Sequence, residues 1–112
     1  MKLIAAIIRP HILDEVRAAL QSLGVRGLTI TEVQGYGQQH NHTEYYRGTE
    51  YLADFKPKLK VEATIDDALL EPVINAVSGI AQSGFFGDGK LFISQSEQVF
   101  RIRTGESGVF AL

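Results

Sequence analysis

Two glycine-rich stretches and a pair of arginines are the residues in this sequence whose types and spacing could bind phosphate. Gly-Tyr-Gly at 35–37 follows an alternating segment, and Gly-Asp-Gly-Lys at 87–90 precedes a short apolar one. Glycine lets backbone N–H groups approach phosphate oxygens closely, and Lys and Arg neutralise their charge. Arg101 and Arg103 alternate, so their guanidinium groups would point the same way if that stretch is extended. Together these segments predict a polyphosphate site.

Each of these segments also has an ordinary structural interpretation. A Gly-x-Gly after a strand is more often a bulge or turn, and Gly-Asp-Gly-Lys is more often a plain hairpin turn. The sequence contains neither a Walker A motif nor GxGxxG. The phosphate interpretation therefore depends on the combination of the segments.

A few other side chains could carry chemistry. His40 and His42 with Glu44 could form a metal site, but alternate histidines on a loop are more often plain polar residues. Tyr51 is a candidate for modification, because a nucleotidyl or phosphate group adds charge and bulk, and its alternative is a plain contact residue. The absence of cysteine excludes disulfides, thiolate metal sites and cysteine nucleophiles. No base–nucleophile pair is evident, so we expect a protein that is not an enzyme.

The composition is that of one small globular domain. The chain has 112 residues, of which 45% are hydrophobic, and a net charge of -2, so we expect a single domain over 1–112. This charge favours neither nucleic acid nor an anionic membrane. No apolar run approaches the ~20 residues of a membrane span, and the opening run is too short for a signal peptide. We expect a cytoplasmic protein without direct membrane insertion.

The predicted elements that position these residues form a strand–helix–strand unit that occurs twice. The first unit covers residues 2–36. The apolar run Leu3–Ile8 predicts a strand buried on both faces. Apolar residues at three- and four-residue spacing over 13–23 predict a helix, with Gly24 as its C-terminal cap. Alternation over 28–33 predicts a second strand.

The second copy covers residues 58–95. Alternation over 58–65 predicts a half-polar strand, and an aspartate at 66 or 67 can cap the following helix. Pro72 is awkward inside that helix, which is therefore expected to begin nearer Leu69. Residues 91–93 predict the closing strand.

Two βαβ halves of similar length predict an α+β, ferredoxin-like βαββαβ sandwich. Its antiparallel sheet of four strands would carry both helices on one face. The other face then needs a cover, and the simplest cover is another subunit. The half-polar strand would be central, and its Lys58 and Glu62 would need a ligand or a neighbouring subunit as partner. A solvated sheet face is the alternative.

A long polar segment, about residues 37–55, joins the second and third strands of this plan. Loops without regular structure beyond ~12–15 residues are uncommon in compact domains and are usually functional or disordered. Tyr45, Tyr46 and Tyr51 lie here, and aromatic residues on a loop suit partner recognition. A β-hairpin arm packed on a neighbour is the alternative.

Several stretches resemble the PII family of nitrogen-regulatory signal-transduction proteins. EYYRGTEY is similar to the family's tyrosine-modification signature, usually Y-[KR]-G-[AS]-[AE]-Y, from which Thr49 departs. SGFFGDGKLFI resembles the family's second signature, with Leu91 replacing the usual Ile or Val. The opening KLIAAIIRPHILDEV, the stretch GLTITEVQGYG and the ending RIRTGESGVFAL are also similar, so the resemblance covers the full length.

The resemblance implies a homotrimer that binds ATP or ADP in each cleft between subunits, with 2-oxoglutarate and Mg²⁺ as further ligands. The implied nucleotide-binding residues are Thr29, Gly35, Gly37, Gln38, Gln39, Glu62, Thr64, Gly87, Asp88, Gly89, Lys90, Arg101 and Arg103. Among these, Glu62 and Thr64 would contact the adenine, and Thr29 would come from the neighbouring subunit. Gln39 and Lys58 would bind 2-oxoglutarate, and Gln39 would also hold Mg²⁺. Implied targets are an ammonium transporter or an enzyme of nitrogen metabolism.

The chain also departs from the family pattern. Gln38-Gln39-His40 stands where many members have Arg-Gln-Lys, which removes a cation expected near the γ-phosphate and leaves the preference between ATP and ADP open. One alternative is a paralogue that senses adenine nucleotides for a different transporter or process. A trimeric metal-binding protein of the same fold, based on His40 and His42, and a small phosphatase-like enzyme of ferredoxin fold are the others.

Overall fold

The computed structural model of the chain describes residues 1–36, 44–46, 49–51, 55–84 and 88–112, with the backbone alone at 44–46 and 49–51. The described strands are β1 (Lys2–Ile8), β2 (Thr29–Gly35), β3 (Glu44–Tyr46), β4 (Thr49–Tyr51), β5 (Lys56–Ile65) and β6 (Lys90–Gln95). The helices are α1 (Leu13–Ser22) and α2 (Leu70–Ala81), and short 3₁₀ turns lie at Pro10–Ile12, Asp67–Leu69 and Gly108–Ala111.

The main sheet has the order β2-β5-β1-β6, and every neighbouring pair is antiparallel. Helix α1 connects β1 to β2, and α2 connects β5 to β6, so each half is a βαβ unit. This arrangement confirms the predicted ferredoxin-like fold. It also confirms that the half-polar strand, β5, is central, because it lies between β2 and β1.

The hydrophobic core lies between the helices and one face of this sheet. Strand β1 contributes Ile4, Ala6 and Ile8 to this core. The helices contribute the buried side chains of Val16, Leu20, Val73 and Val77. The alternate residues of β1, Leu3, Ala5 and Ile7, are only half-buried on the opposite face. Within the single chain β1 is therefore buried on one face, and the second face of the sheet is the uncovered surface that the fold predicted.

The helix boundaries follow the local signals in the sequence. Gly24, just beyond α1, has a φ of 93°, as expected of a C-terminal glycine cap. The Asp66 carboxylate accepts a hydrogen bond from the Ala68 N–H at 3.4 Å, at the start of the turn that leads into α2. Helix α2 begins at Leu70, so Pro72 falls in its first turn, where its missing N–H costs no helical hydrogen bond.

The long polar segment contains a short antiparallel pair, for which the sequence analysis gave a hairpin only as an alternative. Strands β3 and β4 pair with Tyr46 opposite Thr49 and Glu44 opposite Tyr51. Strands this short carry too little alternation to stand out from a polar loop. At the base of the segment the rings of Tyr36 and Phe55 contact each other, with centroids 5.4 Å apart. The paired backbone favours the hairpin alternative.

Candidate functional site

Several predicted site residues meet at one end of the sheet. Strand β2 ends where β5 begins, because Gly35 pairs with Lys56. Strand β1 ends where β6 begins, because Ile7 pairs with Lys90. We call this edge of the molecule the loop end. The predicted residues that it brings together are Gly35, Lys58, Asp88, Gly89 and Lys90.

Gly89 fixes how closely the connection from α2 to β6 approaches β1. Its φ is 101°, a backbone conformation that favours glycine. A Cβ at this position would lie 1.8 Å from the backbone oxygen of Ile7. The glycine is therefore required by the close approach of two backbone segments. The hairpin-turn interpretation of Gly-Asp-Gly-Lys is wrong, because the stretch connects a helix to a strand that pairs with β1.

The Asp88 carboxylate holds together the two sides of this connection. One oxygen accepts the backbone N–H groups of Ser83 at 2.8 Å and Gly84 at 3.1 Å. The other accepts the Ser83 hydroxyl and lies 3.5 Å from a guanidinium nitrogen of Arg9. The Ser83 hydroxyl and the Ser83 N–H hold the pKa of Asp88 below its ordinary value, with further lowering by the Gly84 N–H and Arg9, and partial burial opposes this shift. Asp88 therefore organises the loop through its side chain.

Lys58 is a buried cation at the loop end. The residue is only 6% exposed, so the alternative of a solvated sheet face is wrong at this position. Gly35 makes room for its aliphatic stem, because a Cβ on that glycine would lie 3.1 Å from Lys58 Cγ. Burial lowers the pKa of Lys58, Arg9 lowers it further, and Asp88 opposes the change. A desolvated ammonium group favours an anionic ligand such as a carboxylate.

A second group of predicted residues lies away from the loop end. Thr29 and Glu62 are direct cross-strand partners, and Thr64 lies opposite Leu3 near the other end of β1. Lys90 lies opposite Ile7, so Thr64 and Lys90 are separated by the length of β1 between positions 3 and 7, roughly 13 Å at about 3.3 Å per residue. One chain therefore divides the predicted nucleotide-binding residues between two places.

The register also constrains which subunit could supply these residues. The resemblance implied that Thr29 comes from the neighbouring subunit and that Glu62 contacts the adenine. Because Thr29 and Glu62 face each other across β2 and β5, the subunit that supplies one supplies the other. Glu62 also forms an ion pair with Lys60, with 3.7 Å between the charged atoms.

The stretch around Arg101 and Arg103 is not extended, so the condition under which both guanidinium groups would point the same way is not met. Residues 102–104 form a turn, closed by a hydrogen bond of 2.7 Å from the Gly105 N–H to the Arg101 carbonyl. The Arg101 guanidinium donates to the Leu112 carbonyl at 3.0 Å and to the Ala111 carbonyl at 3.5 Å. Arg103 is exposed. Two residues of alternation were too few to distinguish a strand from a turn.

Some predicted residues lie outside the described part of the chain. These are Gly37, Gln38, Gln39, His40, His42 and Gly87, together with the side chain of Tyr51. Within the described residues, no cluster of three or more His, Cys, Asp or Glu is suited to hold a metal ion. No helix among them is long and apolar enough to cross a membrane.

Sequence reasoning missed Arg9 and Ser83. Arg9 donates to the Ser83 hydroxyl oxygen at 3.3 Å, in addition to its contact with Asp88. The available signal was the position of Arg9, a cation placed directly after an apolar strand. A cavity of about 290 Å³ opens beside this network, between the end of α2 and Asp88–Leu91. That volume is at the low end for a small-molecule pocket.

Comparison with known proteins gives a consistent result. Residues 1–106 match the family described as Nitrogen regulatory protein P-II. Proteins of that name from Rhizobium meliloti (strain 1021) and Bradyrhizobium diazoefficiens are each 54% identical over 112 residues, which is 100% of both chains. A protein of that name from Rhodospirillum rubrum is 54% identical over 108 residues, or 96% of each chain. These relatives are named as regulatory proteins.

Proposed function

Because the chain belongs to the P-II family of nitrogen regulatory proteins, we propose that it is a non-enzymatic sensor that binds ATP or ADP and 2-oxoglutarate. In this proposal the long segment over 37–55 transmits the bound state to target proteins. The targets are an ammonium transporter or an enzyme of nitrogen metabolism, and the protein acts in the cytoplasm.

The observation that carries the proposal is the division of the candidate residues between two parts of the sheet. Lys90 and Gly89 lie at the loop end, whereas Thr64 lies near the other end of β1 and Arg103 follows β6. In this proposal a nucleotide that uses both groups lies between two chains. An interface between unlike surfaces closes into a ring when the rotation between subunits allows it. This geometry supports a homotrimer with shared sites.

The uncovered sheet face supports the same assembly. Phe92, which pairs with Ala5 on this face, is 56% exposed, and Leu3 and Ile7 on the same face are only half-buried. Apolar side chains grouped on one surface favour burial against another protein chain. In the proposed trimer they are covered by neighbouring subunits.

The residues at the loop end fit the proposed ligands chemically. Lys90 is an exposed cation directly after Gly89, so its ammonium group is accessible to a phosphate and can neutralise its charge. Lys58 supplies a desolvated ammonium group for a carboxylate of 2-oxoglutarate. Gln39 would supply a side-chain oxygen to Mg²⁺, whose role is to bridge phosphate and keto-acid oxygens.

Complementation between two variants tests this proposal. Lys90→Ala removes a cation at the loop end, and Arg103→Ala removes one from the other group. Each alone should weaken ATP binding by roughly tenfold or more, because a charge-assisted contact contributes about 1.5–3 kcal/mol. Calorimetry on mixed trimers of the two variants should recover a fraction of sites with wild-type affinity. At some interfaces an intact Lys90 from one chain meets an intact Arg103 from the next.

The controls define what would contradict the proposal. Arg17→Ala removes an exposed cation on α1, whose partner is Asp14, and should leave ATP affinity unchanged. Light scattering should give the mass of three chains of 12.3 kDa. A monomeric mass, or mixed assemblies without any restored site, would exclude a nucleotide site shared between subunits. Release of ADP or phosphate during the titration would exclude a non-enzymatic binder.

A further inference from the structure

Arg101 is held by its own chain at both ends of its side chain. At the backbone, its N–H donates to the Glu106 carbonyl at 2.8 Å. At the tip, the Nη2 atom of the guanidinium group donates to the carbonyls of Ala111 at 3.5 Å and Leu112 at 3.0 Å. These carbonyls lie at the end of the 3₁₀ turn Gly108–Ala111, which we call the 108–111 turn. A long side chain anchored in this way keeps few of its rotamers.

These bonds leave part of the guanidinium group available to a ligand. Among the described residues, all hydrogen bonds of this group come from Nη2, so the N–H donors of Nε and Nη1 are not engaged there. Guanidinium donors form a planar fork, so one edge can bind carbonyls while another binds a phosphate. Arg103, two residues further on, is exposed beside the same turn of the chain.

We propose that the 108–111 turn positions Arg101 for a bound polyphosphate and thereby couples the conformation of this turn to nucleotide affinity. The carbonyls orient the guanidinium group before the ligand arrives, which removes the cost of ordering a long side chain on binding. A phosphate that contacts Nε or Nη1 holds Arg101 in place and stabilises the turn, because coupling between two sites is reciprocal. The link to nucleotide rests on the proposed function, whereas the effect of Arg101 on the turn in the ligand-free protein does not.

Gly108 allows the turn to be disturbed without altering the guanidinium group. It begins the turn with a φ of 67°, and its N–H donates to the Val99 carbonyl at 3.0 Å. A Cβ added there would meet nothing within 4 Å, so a substitution acts through the backbone conformation. Asparagine tolerates this left-handed conformation, whereas β-branched valine does not. Gly108→Val should therefore disturb the turn, and Gly108→Asn, the matched control, should preserve it.

Calorimetry with ATP compares these variants. Gly108→Val should weaken ATP binding by about two- to tenfold, the range expected when one long side chain must be ordered on binding. Gly108→Asn should stay within about twofold of wild type, because its backbone conformation is kept. Once Arg101 is replaced by Gln, adding Gly108→Val should weaken binding no further, because the turn acts through that side chain. In Arg103→Ala, by contrast, Gly108→Val should weaken binding as it does in wild type.

Backbone ¹⁵N relaxation gives a second measurement, which needs no ligand. The Leu112 N–H donates to the Val109 carbonyl at 3.3 Å at the end of the turn. Arg101→Gln removes the anchor of this turn, so the order parameters of its amides should fall from about 0.85 towards about 0.6 or below. Saturating ATP should restore the order lost in Gly108→Val, but not in the double variant that also carries Arg101→Gln.

The outcomes separate this inference from the proposed function. If wild type does not bind ATP, the proposed function and the link to nucleotide both fail, while loss of order in ligand-free Arg101→Gln still shows that Arg101 holds the turn. If wild type binds ATP and Gly108→Val binds it as tightly, the inference is overturned and the proposed function stands. Weakening by Gly108→Val that is the same with and without Arg101 would also overturn it, as would equal order parameters in ligand-free wild type and Arg101→Gln.

Discussion

Replacing Gly89 with alanine tests the close contact between β1 and the connection from α2 to β6. An alanine in the left-handed region is strained by about 1–2 kcal/mol. Its Cβ would also lie 1.8 Å from the Ile7 backbone oxygen, whereas carbon–oxygen contacts are ordinarily about 3.3 Å or longer. The two backbone segments must therefore separate by roughly 1.5 Å, beyond what a hydrogen bond between β1 and β6 tolerates.

The expected loss of stability follows from these two contributions. Breaking a hydrogen bond of the sheet beside Lys90 costs about 1 kcal/mol, in addition to the backbone strain. We expect Gly89→Ala to lower the free energy of unfolding by about 3 kcal/mol, near the upper range of ordinary single substitutions. Gly24→Ala is the matched control, because that glycine has a φ of 93° and a Cβ added there would have nothing within 4 Å. It should lose only the strain of about 1–2 kcal/mol.

Urea unfolding of both variants at one protomer concentration measures the difference, because association would otherwise shift the apparent stability. Hydrogen exchange of the Lys90 amide should accelerate in Gly89→Ala and stay unchanged in Gly24→Ala. If the two alanines cost the same and the Lys90 amide remains protected, the close approach to Ile7 makes no contribution, and the steric argument is refuted.

Two further predictions concern charges at the loop end. Lys58→Met should raise the free energy of unfolding by about 1 kcal/mol near neutral pH, because a desolvated cation repelled by Arg9 becomes an apolar side chain of similar length. The stability advantage of Lys58→Met over wild type should shrink as pH rises from the lowered pKa of Lys58 towards the ordinary lysine value, because the wild-type lysine then becomes neutral. Thermal melts of both proteins from neutral to alkaline pH measure this, and a constant difference in melting temperature would contradict the reasoning. The lowered pKa of Asp88 stabilises the folded chain above the ordinary carboxyl pKa, and this stabilisation is lost as pH falls through the folded value. Asp88→Asn should therefore be less stable than wild type at neutral pH but not in acid, and a difference that persists in acid would show that the carboxylate charge is not responsible.

Periodicity predicted most of the fold because each long element has one clearly apolar face. The alternation in β5 and the helical spacing in α1 are set by burial against the same core, so the local sequence pattern indicates which side chains are buried in the tertiary structure. Gly24 was identified because a helix end requires a particular backbone conformation. A hairpin was only an alternative for the long segment, because strands β3 and β4 are too short to show alternation.

The candidate site was less predictable because its geometry depends on contacts between distant residues. Ser83 and Asp88 are near in sequence, but their contact with Arg9 exists only because β1 and β6 pair. The sequence identified Asp88 as a nucleotide-binding candidate, whereas its carboxylate is engaged by Ser83 and Gly84. Loop turns likewise depend on side-chain hydrogen bonds that periodicity does not report.

The loop end combines a buried cation with a close approach of two backbone segments. Lys58 is buried, Gly89 has a positive φ and lies against the Ile7 backbone, and burial together with the charge of Arg9 lowers the pKa of Lys58. Local features of this kind persist when the surrounding structure determines them, and they cluster where a protein binds its ligands. Here the surrounding structure is the pairing of β1 with both β5 and β6, which holds these residues on a rigid base. An anion bound at this end of the sheet would offset the positive charges of Lys58 and Arg9, so we expect anion binding there to stabilise the folded chain.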